Sequence, residues 1–139
     1  MMPKSTGTYE RVAQLVDEQE LVSCLLLRED FAACGPEAEV EAALDRLVAN
    51  DRLARLREDA YAFTEISPYT GQLTLRCTIQ NLAEEYAMRQ GADICLTEAQ
   101  ADYASGRSKQ IPNGAWVGVT RPVLGTLRYG RQEVGFECV

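Results

Sequence analysis

The chain has 139 residues, of which 46% are hydrophobic and 25% charged, a composition that excludes a multi-domain machine and is typical of one soluble globular protein with a real core. It contains no histidine, which excludes imidazole general-base catalysis, nucleophile pairs that need histidine and histidine-dependent metal sites. The net charge of −7 resides in residues 1–66, which hold seven basic and fourteen acidic residues, so we expect that half to meet a basic partner, with plain solubility as the alternative.

The first half of the sequence predicts three helices followed by two strands. Apolar residues at helical spacing predict a helix over 8–19, and a short second helix begins near Arg28 and is closed by Gly35. A third amphipathic helix is predicted over 36–50, and two short alternating strands then flank a turn at Glu58-Asp59. This is the element order of a winged helix-turn-helix, a motif known mainly for reading the major groove of DNA.

A domain boundary is predicted where the sequence becomes rich in turn-forming residues. Residues 66–75 contain Pro68, Gly71 and several hydroxyl side chains, which indicates a linker or crossing loop. We therefore predict a winged helix-turn-helix-like domain over 1–66 and a small α+β domain over 67–139.

The second half alternates helices and strands. A helix is predicted over 76–90, a buried strand over 92–96, a helix capped by Thr97 and a polar loop over 106–114. Three strands follow, and the last two form a hairpin through Gly130. The predicted fold class is α+β, with an N-terminal winged helix-turn-helix followed by a small α/β domain with a C-terminal β-hairpin.

The cysteines and the single tryptophan are expected to be structural. The cysteines are odd in number and include no Cys-x-x-Cys pair, so the sequence indicates neither a disulfide framework nor a thiolate metal site, and we expect reduced, buried thiols. Trp116 lies in a predicted strand and is expected in the core. No phosphate-binding loop and no catalytic carboxylate pair is recognised, so we expect no enzyme, no cofactor and no metal. The cysteines are Cys24, Cys34, Cys77, Cys95 and Cys138.

Seven short pieces of the sequence occur in an order that resembles a known family. They are Asp30-Phe31, the run from Val40 to Val48, Leu53-Ala54-Arg55-Leu56, Tyr61, Ser67-Pro68, Gln110-Ile111-Pro112 and the Tyr129-Gly130-Arg131 turn. From about residue 20 to the C-terminus the chain resembles the AbiEi-type antitoxins, transcriptional regulators of abortive-infection type IV toxin–antitoxin systems, and their short relatives. The resemblance implies an N-terminal winged helix that binds operator DNA and a small α/β second domain.

Acidic residues stand where that family contacts DNA. The turn between the two strands carries Glu58-Asp59, where the family typically has a basic residue and a glycine. Glu37, Glu41 and Asp45 recur every four residues on the third helix, so they share one side of it, and a surface of one sign favours a basic partner. The candidate partner-binding residues are these acidic groups, a neighbouring glutamate and two tyrosines near loops: Glu37, Glu39, Glu41, Asp45, Glu58, Asp59, Tyr103 and Tyr129.

The sequence thus predicts a non-enzymatic inhibitor that acts by protein–protein binding. In its most specific form it is an anti-CRISPR or related anti-defence protein of a phage or mobile element, whose acidic winged-helix face engages a basic nucleic-acid-binding surface of a multi-subunit effector. No run of about 18 apolar residues and no signal peptide is present, so we expect it in the cytoplasm of a bacterial host, without membrane binding.

The alternative is an AbiEi-like antitoxin or transcriptional repressor that binds operator DNA. A basic wing can hold one phosphate backbone, although single arginines on strands often pair with nearby carboxylates. The DNA-binding candidates for this alternative are Arg46, Arg52, Arg55 and Arg57.

Overall fold

The computed structural model describes residues 7–107 and 116–139 and shows a mixed α+β protein. The chain divides into two compact units, residues 1–77 and residues 78–139, each with helices and its own four-stranded sheet. The sequence predicted a boundary at residue 66, which is the last residue of a strand. The first unit extends to residue 77, because the chain adds one more strand to the first sheet before it leaves that unit.

Unit 1 follows the order helix, strand, helix, helix, strand, strand, strand. Its elements are α1 (Thr8–Gln19), β1 (Leu25–Leu27), a 3₁₀ helix (Arg28–Cys34), α2 (Glu37–Ala49), β2 (Leu53–Arg57), β3 (Ala60–Ile66) and β4 (Leu73–Leu75). The structure confirms the predicted helices over 8–19 and 36–50 and both strands beside the Glu58-Asp59 turn. The short second helix is a 3₁₀ helix, whose first turn is held by the Asp30 carboxylate accepting from the Leu27 amide at 2.9 Å.

The sheet of unit 1 is built around β3. One edge of β3 pairs with β2, and its other edge is shared by β1, opposite residues 60–62, and β4, opposite residues 64–66. Between those two strands, the Phe63 amide donates to the Cys24 carbonyl and the Phe63 carbonyl accepts from the Arg76 amide. The two short strands therefore lie in line along one edge. The prediction of a loop over 66–75 was wrong for residues 73–75, which form β4.

The core of unit 1 lies between its helices and this sheet. α2 buries Val40, Ala43, Leu44 and Leu47, which recur at helical spacing along one side of the helix. They pack in one cluster with two residues of α1, Phe31 of the 3₁₀ helix and aromatic side chains of β3. Burying each large apolar side chain contributes about 1.5–3 kcal/mol, and this packing fixes which side of α2 stays exposed.

The prediction of reduced thiols was wrong for two cysteines of unit 1. Cys24, just before β1, and Cys77, just after β4, form a disulfide with their Cα atoms 6.3 Å apart. The two residues are 53 positions apart in sequence, so spacing alone gives no sign of the pair. Cys34 is a buried free thiol as expected, whereas Cys138 is free and exposed.

Unit 2 is a mixed sheet with a helix packed across it. Its elements are α3 (Ile79–Arg89), β5 (Ile94–Cys95), α4 (Glu98–Ala104), β6 (Trp116–Val119), β7 (Leu127–Tyr129) and β8 (Gln132–Cys138). The strand order is β5-β6-β8-β7, with β6 parallel to β8 and the other two pairs antiparallel. The predicted C-terminal hairpin is confirmed, with Gly130 at positive φ in its turn.

Hydroxyl caps set where the helices of unit 2 begin. α3 begins after Thr78, whose side chain accepts a hydrogen bond from the Asn81 amide. The observed helix therefore starts three residues later than the helix predicted over 76–90. Thr97 caps α4 as predicted and forms a reciprocal capping box with Gln100. Most of the predicted loop over 106–114, including the Gln110-Ile111-Pro112 piece, lies outside the described residues.

Trp116 was wrongly expected in the core, since 51% of it is exposed. The side chains of β6 point to the two sides of the sheet in turn. Val117 and Val119 are buried on one side, and Trp116 lies on the opposite side. Phe136 is paired with Val117 in register and lies 6.0 Å, centre to centre, from Tyr86 of α3, which identifies the α3-facing side of the sheet. The Trp116 ring therefore lies on the other side.

Candidate functional site

The exposed side of α2 carries a row of three carboxylates. Glu37, Glu41 and Asp45 lie one turn apart on the side of the helix that the core leaves free. Their side chains are 82%, 41% and 53% exposed. We call these three residues the acidic ridge.

Two arginines border the acidic ridge and hold its carboxylates. Arg28 of the 3₁₀ helix lies 2.7 Å from Glu41 and 3.7 Å from Glu37, and Arg55 of β2 lies 3.2 Å from Asp45. Burial works to lower the pKa of Arg28, but contact with the Tyr61 hydroxyl and the charges of Glu41 and Glu37 raise it overall. The ridge is thus a mixed row in which carboxylates outnumber the cations that border them.

The turn between β2 and β3 lies against the same two arginines. The Glu58 carbonyl accepts from Arg28 at 3.0 Å and from Arg55 at 3.2 Å. The Asp59 carboxylate lies 3.0 Å from the Arg57 side chain. The structure therefore brings the Glu58-Asp59 turn next to the acidic ridge, and we call the ridge and this turn together the acidic face.

A buried tyrosine lies under the acidic face. Tyr61 of β3 is fully buried, and the Arg55 guanidinium lies 5.6 Å from its ring centre. Burial raises the pKa of Tyr61, while Arg55 and Arg28 oppose that shift and Asp45 adds to it. Sequence reasoning missed the organising roles of Arg28 and Tyr61. The sequence carried no signal for them, because Arg55 pairs with Tyr61 only through a register shift between Arg55 and Arg57, and Arg28 lies on a different element.

Glu39 lies apart from the acidic ridge. Its carboxylate accepts from the Thr8 hydroxyl of α1 at 2.6 Å. Glu39 therefore helps to hold α2 against α1, and the structure does not bring it together with the other acidic candidates.

Comparison of the sequence with models of known protein families assigns the chain to one family. A family model described as a family of unknown function, DUF6088, matches residues 11–137, which include parts of both units. The chain belongs to the DUF6088 family. Searches among curated proteins and among solved structures found no match.

The arginines considered for DNA binding all make contacts within unit 1 of this DUF6088 protein. Arg52 lies 2.6 Å from Asp17 and 3.1 Å from Glu20, and burial, which works to lower its pKa, is outweighed by those two carboxylates, which raise it. Arg55 and Arg57 pair with carboxylates of the acidic face, as described above. The Arg46 guanidinium lies 4.2 Å from the centre of the Tyr9 ring. Three of these four arginines are paired with a carboxylate of the protein itself, so a DNA phosphate would have to compete with that carboxylate for each of them.

The two candidate tyrosines belong to unit 2. Tyr103 lies on α4 and is 45% exposed. Tyr129 ends β7, is half-buried and pairs in register with Gln132. In this DUF6088 chain they are therefore on different elements from the acidic face, and each is a separate candidate contact.

Across residues 7–107 and 116–139 of the DUF6088 protein, no group of three or more histidine, cysteine, aspartate or glutamate side chains is arranged to hold a metal ion. Within the same described ranges, each helix is too short or too polar to cross a membrane.

Proposed function

We propose that this DUF6088 protein is a non-enzymatic inhibitor that acts by binding another protein through its acidic face. The observation that carries the proposal is the excess of exposed carboxylates on α2. Three ridge carboxylates are bordered by two arginines, and the Glu37 side chain is 82% exposed, whereas Arg52 and Arg57 of the DNA-binding set are paired with carboxylates outside the ridge. Such a surface attracts lysine and arginine side chains and repels phosphate.

The partner of this proposal has a basic surface of the kind that binds nucleic acid. Lysine or arginine side chains of the partner would bind Glu37, which is the most exposed ridge residue and lies 3.7 Å from the Arg28 guanidinium. They would then share Glu41 and Asp45 with Arg28 and Arg55. By occupying a nucleic-acid surface, the protein would inhibit an effector such as a CRISPR subunit in the host cytoplasm.

The two tyrosines extend this proposal to unit 2. Exposed tyrosines contribute to binding by burying a rigid, amphipathic ring, and their loss mainly speeds dissociation. Charges of the acidic face would mainly speed the encounter. Tyr103 and Tyr129 would therefore set residence time, and the acidic ridge would set the association rate.

Charge reversal of the ridge tests the proposal. The triple variant Glu37→Lys, Glu41→Lys and Asp45→Lys should lose capture of its partner from host lysate, with the captured proteins identified by mass spectrometry. A control reverses the same number of charges elsewhere in unit 1, at the exposed residues Glu10, Glu18 and Glu65, and should keep that capture. Equal capture by both triple variants and the wild type would refute a role of the ridge.

The second candidate function is an operator-binding repressor. The order of α1, β1, the 3₁₀ helix, α2, β2 and β3 is one that we expect of a winged helix-turn-helix, which supports this alternative with α2 as the candidate recognition helix. Arg46 is exposed on α2 and would be its first phosphate contact. A mobility shift with promoter DNA discriminates the two functions. The inhibitor should give no shift near physiological salt, whereas a sequence-specific, salt-sensitive shift would establish the repressor.

A further inference from the structure

The Cys24–Cys77 disulfide closes the gap between two strands that share one edge of β3. Cys24 precedes β1, and Cys77 follows β4 by two residues. Phe63 spans the gap, because its amide donates to the Cys24 carbonyl at 3.3 Å and its carbonyl accepts from the Arg76 amide at 3.0 Å. The disulfide therefore holds the end of β4 to the start of β1 at the point where the ladder of β3 changes partner.

An arginine lies beside one sulfur of this pair. The Arg76 guanidinium donates to the Ser23 carbonyl at 2.9 Å and lies 3.7 Å from the Cys24 sulfur. Its central carbon is 4.6 Å from the centre of the Phe63 ring, so the cation is held in place by an aromatic face as well. A fixed positive charge next to a sulfur favours the thiolate over the thiol.

Both residues of the pair are partly exposed. Cys24 and Cys77 are each half-buried, unlike Cys34 in the core. An attacking thiolate can therefore reach the pair from solvent, and a thiolate released at Cys24 is stabilised where it forms.

We propose that Cys24 and Cys77 form a reversible thiol–disulfide switch that is reduced by cellular dithiols, with Cys24 as the leaving thiolate. A thiolate of the dithiol attacks the Cys77 sulfur, the bond between Cys24 and Cys77 breaks, and its electron pair stays on Cys24 beside Arg76. The second thiol of the dithiol, once deprotonated, attacks the dithiol's own sulfur in the mixed disulfide, and the bond from that sulfur to Cys77 breaks. Cys77 leaves as a thiolate and takes up a proton. The protein disulfide gains two electrons, and the dithiol is oxidised to its own disulfide.

Reduction changes what holds β4. In the oxidised protein, a covalent bond and the backbone bonds to β3 both hold this three-residue strand. In the reduced protein, the backbone bonds to β3, the buried Leu75 side chain and the contacts of Arg76 hold it. A three-residue strand that loses its covalent bond opens more readily, so the switch loosens the last segment of unit 1 before Thr78, the cap of α3.

Alkylation kinetics test the chemistry. Protein purified without reductant and oxidised with diamide should yield a linked Cys24–Cys77 peptide by mass spectrometry. After reduction with dithiothreitol, iodoacetamide near neutral pH should modify Cys24 faster than Cys77. Arg76→Gln should slow the reaction at Cys24 by about fivefold or more, and Arg76→Lys should restore much of it. Arg131→Gln, at an exposed arginine of unit 2, is the control of equal charge and should leave the rate unchanged.

Hydrogen exchange tests the structural consequence in the wild-type chain. Amides of residues 73–75 should exchange faster after reduction, while those of β2 keep their rate. Cys77→Ser should behave like the reduced wild type in both oxidising and reducing buffer. The switch is refuted if diamide forms no Cys24–Cys77 link, if Arg76→Gln leaves the Cys24 rate unchanged, or if β4 exchanges equally in both redox states.

Discussion

The guanidinium of Arg55 lies 3.2 Å from the carboxylate of Asp45, so an ion pair joins the edge strand β2 to the exposed side of α2. Arg55 also donates to the Glu58 carbonyl and lies over the Tyr61 ring. One arginine thus connects the helix, the turn and the buried tyrosine of the acidic face. Its charge is directed toward the protein rather than toward a phosphate.

A double-mutant cycle on Asp45→Asn and Arg55→Gln should measure this ion pair. Both side chains are more than one-third exposed, Asp45 at 53% and Arg55 at 35%. Solvent screening therefore keeps the expected coupling at about 0.2–1 kcal/mol. The coupling should shrink in 1 M salt, where the screening length is about 3 Å. Urea unfolding of the four proteins at low and high salt gives the value. A coupling of zero at low salt would show that the pair adds nothing to stability.

Arg28 is expected to matter more than Arg55, because it is more buried. Its side chain is 25% exposed and contacts Glu41 and the Glu58 carbonyl. Arg28→Met keeps the length of the side chain but removes these contacts, and should lower the free energy of unfolding by about 1.5–3 kcal/mol.

Chemical denaturation followed by circular dichroism measures the loss at Arg28. Arg131→Met, at an exposed arginine of unit 2, is the comparison and should stay within about 0.5 kcal/mol of wild type. Equal stability of the two variants would mean that Arg28 is only a surface charge.

Tyr61 should make stability fall at high pH. Burial is the first cause of its raised pKa, so the folded protein holds the phenol proton more tightly than the unfolded chain does. The contribution is complete below the ordinary tyrosine pKa of about 10 and is lost as the pH rises through the folded-state pKa. Unfolding free energies between about pH 9 and pH 11 should therefore decline more steeply in the wild type than in Tyr61→Phe. Parallel curves would contradict the raised pKa.

α1, α2 and α3 were predictable because each is long enough for its apolar residues to repeat. Val12 and Val16 in α1 and Leu82 and Tyr86 in α3 show the period directly, and their buried sides are those expected. β1 and β4 were not predicted, since each is a short strand that pairs with β3 without a tight hairpin turn of its own, β1 across a long stretch of sequence and β4 across the loop that follows β3.

The grouping of the ridge carboxylates could be predicted from the sequence, but the residues that contact them could not. Helical spacing alone places Glu37, Glu41 and Asp45 together. That Glu39 bonds to Thr8 and that Arg28 reaches the ridge from another element are long-range facts, set by how the helices pack. The same holds for the Cys24–Cys77 bond.

Two glycines of the second sheet allow a paired prediction. A Cβ at Gly118 would collide with main-chain atoms where β5 leads into α4, first with the Cys95 carbonyl oxygen and then with atoms of Leu96 and Thr97 that are 2.8 Å away. A Cβ at Gly135 would meet the Trp116 ring at 2.8 Å, and that side chain is half exposed and free to move outward. Gly118→Ala should therefore destabilise the protein by about 1–3 kcal/mol, and Gly135→Ala by less than about 1 kcal/mol.

Trp116 reports on the second of these substitutions, because it is the only tryptophan of the chain. Gly135→Ala should shift the tryptophan emission as the ring leaves its position on the sheet, whereas Gly118→Ala should lower stability without moving the folded-state emission. In a Trp116→Ala background the cost of Gly135→Ala should disappear and that of Gly118→Ala should remain, because only the first collision is with the indole ring. If Gly135→Ala kept its full cost without the tryptophan, the strain would lie in the backbone of β8, and the placement of the Trp116 ring over Gly135 would be wrong.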